Sequence, residues 1–185
     1  MTTVRNFALT LSLLLPFAVA AHNIKADQRV PPVGVADKGE LIFQQDQFSY
    51  RNWNSAQLVG KVRVIQHIAG RSSAKEQNAA LIEVIKAEKF PHDRYQTTTI
   101  VNTDDAIPGT GMFVRSSIET NKQQFPWSQF IVDSNGAVHH AWKLASGGSA
   151  IIVLDKEGRV RFVKEGALTQ DEVNKVRALL KGLLA

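Results

Sequence analysis

Residues Val62-Arg63-Val64-Ile65-Gln66-His67-Ile68 form a β-rich run that does not alternate cleanly between apolar and polar, the mark of a strand covered on both faces at the centre of a sheet. Gly70-Arg71-Ser72 turns the chain. Ser73-Ala74-Lys75-Glu76 then has the spacing of a capping box, with Ser73 as N-cap and Glu76 at N3. Ala74, Asn78, Leu81, Ile82 and Ile85 follow at helical spacing, and Pro91 stops the helix near Phe90. Tyr95 to Val101 is rich in threonine and β-branched residues, which predicts a second strand. A strand, a helix and a strand in this order pair in parallel through a right-handed crossover, so the chain is confined to α/β architectures.

The rest of the chain extends that unit. Met112 to Gln124 reads as a helix broken at Pro126, and Trp127 to Val132 as a third strand. Asp133-Ser134-Asn135-Gly136 predicts a turn into a further strand, Val138 to Trp142. Ala150 to Leu154 and Val160 to Val163 flank Asp155-Lys156-Glu157-Gly158, a hairpin signal. Thr169-Gln170-Asp171-Glu172 is a second capping box, opening a helix that carries Val173, Val176, Leu179, Leu180 and Leu183. Upstream, Val33-Gly34-Val35 and Glu40-Leu41-Ile42-Phe43 flank Asp37-Lys38-Gly39, which predicts an N-terminal hairpin. Residues 44–60 read as a polar connection anchored by Phe48, Tyr50 and Trp53. Trp53, Trp127 and Trp142 are expected in the core or at its rim.

The first 21 residues follow another pattern. Arg5 precedes the apolar run Phe7 to Leu15, which is too short to span a bilayer, and Pro16 ends that run. Ala18-Val19-Ala20-Ala21 then supplies small residues for cleavage after Ala20 or Ala21. This is the order of a secretory signal. The expected division is a signal peptide over 1–21 and one domain over 22–185, with no spanning segment left after cleavage. Loss of Arg5 lowers the formal charge of +5 by one, a mild excess without any block of five basic residues. Nucleic acid is therefore not an expected partner. The chain has no cysteine, so thiol redox chemistry, thiolate catalysis and Cys–metal sites are excluded.

The order of elements resembles a thioredoxin-like fold, a central mixed sheet flanked by helices, here with an N-terminal hairpin extension. Leu58-Val59-Gly60-Lys61 resembles the entry to the central strand in peroxiredoxins and thiol oxidoreductases. Ile151-Ile152-Val153-Leu154-Asp155-Lys156-Glu157-Gly158-Arg159-Val160 resembles their closing hairpin. At closer range the segments 54–64, 66–71, 95–107 and 127–133 resemble the YtfJ family, small exported bacterial proteins of thioredoxin-like fold. The resemblance implies the periplasm of a Gram-negative bacterium. It also marks two departures. The redox families carry C-x-x-C at the start of the first helix, where this chain has Gly70-Arg71-Ser72-Ser73. They carry a cis-proline before the closing hairpin, where this chain has Gly148-Ser149-Ala150.

The candidate sites follow. Gly70, Arg71, Ser72 and Ser73 open a helix, where free amides and the dipole favour an anion or an acidic partner segment. A solvated arginine and a capping serine are the plainer readings. Asp104 and Asp105 follow the second strand at the edge where open α/β sheets place ligands, or form a solvated turn. His139 and His140, adjacent on the expected strand, would face opposite ways. Cleavage after Ala21 would leave His22 as the N-terminal residue, with an amine and imidazole able to chelate copper. Ser72 and Ser73 need a base before either is a nucleophile, and His67 is expected to point into the core. No cofactor is expected. The reading is a periplasmic, non-redox binding or assembly factor with a protein or small-anion partner. The alternatives are an enzyme using non-thiol residues near Arg71, Asp104 and Asp105, and a metal carrier using His22.

Overall fold

The computed structural model describes residues 22–185, so the expected signal segment lies outside the described residues. Seven strands form one mixed sheet: β1 (Gly34–Gln44), β2 (Gln47–Asn54), β3 (Val62–Ala69), β4 (Tyr95–Asn102), β5 (Gln129–Asp133), β6 (Ser149–Leu154) and β7 (Val160–Glu165). Their spatial order is β2-β1-β5-β4-β3-β6-β7. β3, β4 and β5 run parallel, and antiparallel strands extend the sheet on both sides. Five helices accompany it: α1 (Ser72–Glu76), α2 (Ala79–Glu88), α3 (Gly111–Gln124), α4 (Ala137–Trp142) and α5 (Gln170–Leu184). The fold is thioredoxin-like α/β, as the order of elements implied. The closing β6–β7 hairpin and the Thr169–Glu172 capping box both form as expected.

All eight residues of β3 are buried. Strand alternation sends Ile65, with Ile100, Ile131 and Ile152 of neighbouring strands, to one face, where they pack with Trp53, Val138 and Trp142. Val62 and Val64 go to the other face and pack with Leu81 and Ile85 of α2 and with Val176 and Leu180 of α5. Further along this second face a separate cluster joins Ile68, Val101 and Phe130 to Ile118 of α3. Arg63 is buried at the start of β3, where burial pushes its guanidinium below the usual arginine range. It donates to the carbonyls of Leu58 at 2.8 Å and Gln57 at 3.1 Å, and to the side chains of Gln96, Thr98 and Gln129 at 2.8, 3.1 and 3.2 Å. Neutral acceptors thus satisfy a buried charge.

Five expectations are corrected. The stretch Asp37-Lys38-Gly39 is an irregularity inside one long strand and not a hairpin turn; pairing with β2 shifts register between Val35 and Glu40. Gly39 is at φ +79°, and a Cβ there would overlap the Arg51 carbonyl oxygen, so the turn chemistry of the sequence serves a bulge. The real hairpin turn is Gln45-Asp46, both at positive φ, and the "polar connection" after it contains β2. The expected strand over Val138 to Trp142 is helix α4, because the buried Asp133 carboxylate accepts the Ala137 and Val138 amides at 2.9 and 2.8 Å. Ser73 does not cap the first helix: Arg71 is the N-cap residue and makes no side-chain cap bond. The long helix expected from Ala74 to Phe90 is broken at Gln77-Asn78. The tryptophans divide, with Trp53 and Trp142 buried and Trp127 47% exposed.

The break is fixed by Asn78, which is 1% exposed. Its amide donates to Ser149 Oγ and to the Gly166 carbonyl, both at 3.1 Å, and its oxygen accepts the Leu168 amide at 3.0 Å. One side chain therefore ties the helix break to β6 and to the entry of α5. Removing it strands these groups in a buried place, so Asn78→Ala should cost about 2–4 kcal/mol in urea unfolding. A loss below about 0.5 kcal/mol would show that the three bonds are dispensable.

Candidate functional site

The carboxyl ends of β3, β4 and β5 meet the start of α1, the loop 103–110 after β4, and the loop 143–148 before β6. At the end of β3 the Ala69 amide donates to the Gly148 carbonyl at 3.0 Å, and the Gly70 amide to the Asn102 carbonyl at 2.8 Å. A Cβ on Gly70 would lie 3.0 Å from Ala106 Cβ, so the glycine permits close approach of the chain's own loop.

Arg71 and Asp105 were assigned to two separate patches, and the structure joins them. Arg71 Nε donates to the Asp105 carbonyl at 2.8 Å, and Nη2 pairs with the Asp105 carboxylate. The other carboxylate oxygen accepts the Gly147 amide. One carboxylate therefore clasps the first helix start, the β4–α3 loop and the α4–β6 loop. A fork-shaped guanidinium suits this arrangement. Ser72 and Ser73 stand exposed beside it, and neither hydroxyl is hydrogen-bonded to an imidazole among the described residues. Asp104 is exposed, and its amide is held by Asn102 Oδ1 at 3.2 Å. At the other side of the clasp Gln77 Oε1 accepts the Ser149 amide at 3.0 Å, which fixes the stretch Gly148-Ser149-Ala150.

Beneath the clasp, on the α4 face, lies a histidine cluster. His67 is 3% exposed, and its ring lies 6.3 Å from that of His139, which in turn is 5.1 Å from His140. Because α4 is a helix, His139 and His140 do not take opposite faces of a sheet; the half-buried His139 turns toward His67. Burial, reinforced by repulsion from His139, lowers the His67 pKa to about 4, against a smaller upward pull from Asp105. His67 Nε2 and His139 Nδ1 are buried without hydrogen-bond partners. His22 is half-buried, next to Asn23, whose side chain donates to the Ala141 carbonyl at 2.9 Å. Among the described residues, no group of three or more His, Asp or Glu side chains is placed to hold a metal.

A model of a bacterial protein family of unknown function, YtfJ_HI0045, matches residues 24–183. The chain belongs to this family. It is 64% identical to the uncharacterized protein YtfJ of Escherichia coli over 98% of this chain and 99% of that one. An uncharacterized protein of Haemophilus influenzae is 47% identical over 95% and 96% of the two chains. Among solved structures, a thiol-disulfide isomerase from Corynebacterium glutamicum aligns over 88% of this chain and 97% of its own, with TM-score 0.55 and 15% identity. A 2-Cys peroxiredoxin from Plasmodium vivax aligns over 85% and 96%, with TM-score 0.53 and 12% identity. At such identities the likeness is one of fold.

The sequence reading missed Gln66, whose amide nitrogen is also buried and unpartnered, and the partnership of His67 with His139. The available signal was the adjacent polar pair Gln66-His67 inside a central strand whose only other polar residue is Arg63. His67 gives a pH prediction. Unfolded, it protonates near 6.5; folded, at about 4. Between those values the unfolded chain holds more protons, so stability is full above about pH 6.5 and falls as pH drops toward 4. The wild type should lose about 2 kcal/mol more than His67→Gln between pH 7 and 4.5, read from urea midpoints. Parallel losses in the two proteins would contradict a buried neutral imidazole.

Proposed function

We propose that this chain is an exported periplasmic protein that uses the thioredoxin-like fold as a binding platform and performs no redox chemistry. The carrying observation is the Arg71–Asp105–Gly147 clasp. It occupies the place where the redox families hold their reactive cysteines, and it commits that pole to internal bonds. The absence of cysteine removes the chemistry, and the clasp gives the vacated pole a structural use. What remains for function is surface, with a partner of protein or small-anion character favoured by the basic excess. Export is supported by the Arg5, apolar-run and Ala18-Val19-Ala20-Ala21 pattern.

Two measurements test the reading. The protein recovered from periplasmic extract should begin at Ala21 or His22 by intact mass; a chain retaining Met1 would contradict export. Purified protein should leave insulin disulfides and hydrogen peroxide at buffer-blank rates in the presence of reductant, and turnover above blank would overturn the non-redox assignment.

A further inference from the structure

The second face of the sheet carries two apolar clusters instead of one continuous core, and between them β3 and β4 place Gln66, Thr97 and Thr99. α2 stands on one side of this polar stripe and α3 on the other. The result is an open groove of about 970 Å³, at the upper end of the usual range for small-molecule sites. Its walls include Ile82 and Phe90 on one side and Phe113 and Phe125 on the other. Three large apolar side chains that line it remain in solvent: Ile107 at 52%, Phe113 at 76% and Trp127 at 47% exposure. Trp127 stacks on His92 with centroids 4.5 Å apart and meets Phe125 edge-on at 5.8 Å, forming an aromatic end wall.

Two further observations define the occupant. Gln66 is 95% buried by its 5% exposure, lines the groove, and its Nε2 has no partner. A buried donor left unpaired is costly, so the occupant should bring an acceptor oxygen to the floor. The charges lining the groove are Lys75, Lys86 and Lys89 against the acid Glu83, which pairs with Lys86 at 2.7 Å, while Arg71 at the groove's edge is committed to Asp105. Lys75 of α1 reaches across to Ser117 Oγ of α3 at 3.3 Å and Lys86 of α2 lies 5.0 Å over the Phe125 ring at the end of α3, so cations from α1 and α2 span the groove toward α3. Apolar walls, an acceptor-seeking floor and a cationic rim together complement a long apolar chain that carries one anionic oxygen group.

We propose that the groove between α2 and α3 binds a long-chain fatty acid anion. The chain lies along the apolar walls, and the carboxylate is taken by the Gln66 amide and the lysines that span the groove. This deepens the proposed function by naming the ligand class of a protein that acts by binding, and it rests on that reading.

The test is calorimetric titration of the delipidated protein with oleate below its micelle concentration, beside butyrate, methyl oleate and a cationic single-chain amphiphile. Oleate should bind one to one. Butyrate and the cationic amphiphile should bind at least tenfold more weakly, and the neutral ester should be weakened as well. Gln66→Leu and Lys75→Glu should each weaken oleate about five- to tenfold. Phe113→Glu, at a position too exposed to matter for folding, should do the same and so guards against a folding artefact. Trp127 emission should shift on binding, and the shift should vanish in Trp127→Phe. Absence of oleate binding, equal binding of the cationic amphiphile, or full affinity in all three variants would overturn the proposal. So would binding only as the protein self-associates, which would assign the groove to a second copy, or competition by apolar acidic peptides but not by fatty acids. None of these outcomes touches the insulin, peroxide and intact-mass measurements, so the ligand class can fail while the platform reading stands.

Discussion

Everything in this fold is hung on β3, a strand with no exposed residue. A central strand normally avoids polar side chains, since each one must find partners away from water. This strand carries three. Arg63 is satisfied by five neutral acceptors drawn from the chain before β3 and from β4 and β5, and so it welds the strand entry to its neighbours. Gln66 and His67 each leave a nitrogen unpaired, and the pleat sends them to opposite faces. Gln66 floors the groove between α2 and α3, while His67 faces the histidines of α4. The polar content of one strand thus marks one point of rigidity and two points of unspent hydrogen-bonding capacity.

The carboxyl end of the same strand leads into the clasp. In the redox families a reactive thiol sits at this pole and must stay accessible. Here a carboxylate from the β4–α3 loop draws in the first helix start and the loop before β6. Below it, Gln77 and Asn78 break the helix and fasten it to Ser149. The pole is therefore held by side-chain bonds from both ends of α1. In the reading proposed above, function is displaced sideways, from the pole to the face where α2 and α3 leave part of the sheet uncovered.

Much of this was legible in the sequence. Strands β3 and β4, the closing hairpin and the last helix follow from local patterns that tertiary packing does not override, and the Thr169–Glu172 box forms as its spacing requires. The failures have physical causes. Asp37-Lys38-Gly39 has the chemistry of a turn, but a bulge with a glycine at φ +79° needs the same chemistry, and only the pairing partners tell them apart. Val138 to Trp142 is short and apolar, so its period is ambiguous; a cap from Asp133, four residues upstream of the helix start, makes it helical. Asn78 fits the helical period of its neighbours, yet its buried amide breaks the helix because its partners come from residues 149–168. The site was half visible: Arg71 and Asp105 were both singled out, 34 positions apart, but their pairing depends on how two loops meet over the sheet edge. The groove left no local signal, since it arises from the divergence of two helices.

Paired with Asp105, Arg71 is spent inside the protein and is not a free anion receptor. A double-mutant cycle measures this directly, with Arg71→Ala, Asp105→Ala and the double variant compared by urea unfolding at neutral pH and low salt. The clasp predicts a coupling energy of about 1–2 kcal/mol, so that the double variant is clearly more stable than the sum of the single losses would make it. Additive losses, with coupling within about 0.3 kcal/mol of zero, would contradict it and leave Arg71 a solvated arginine at a helix start.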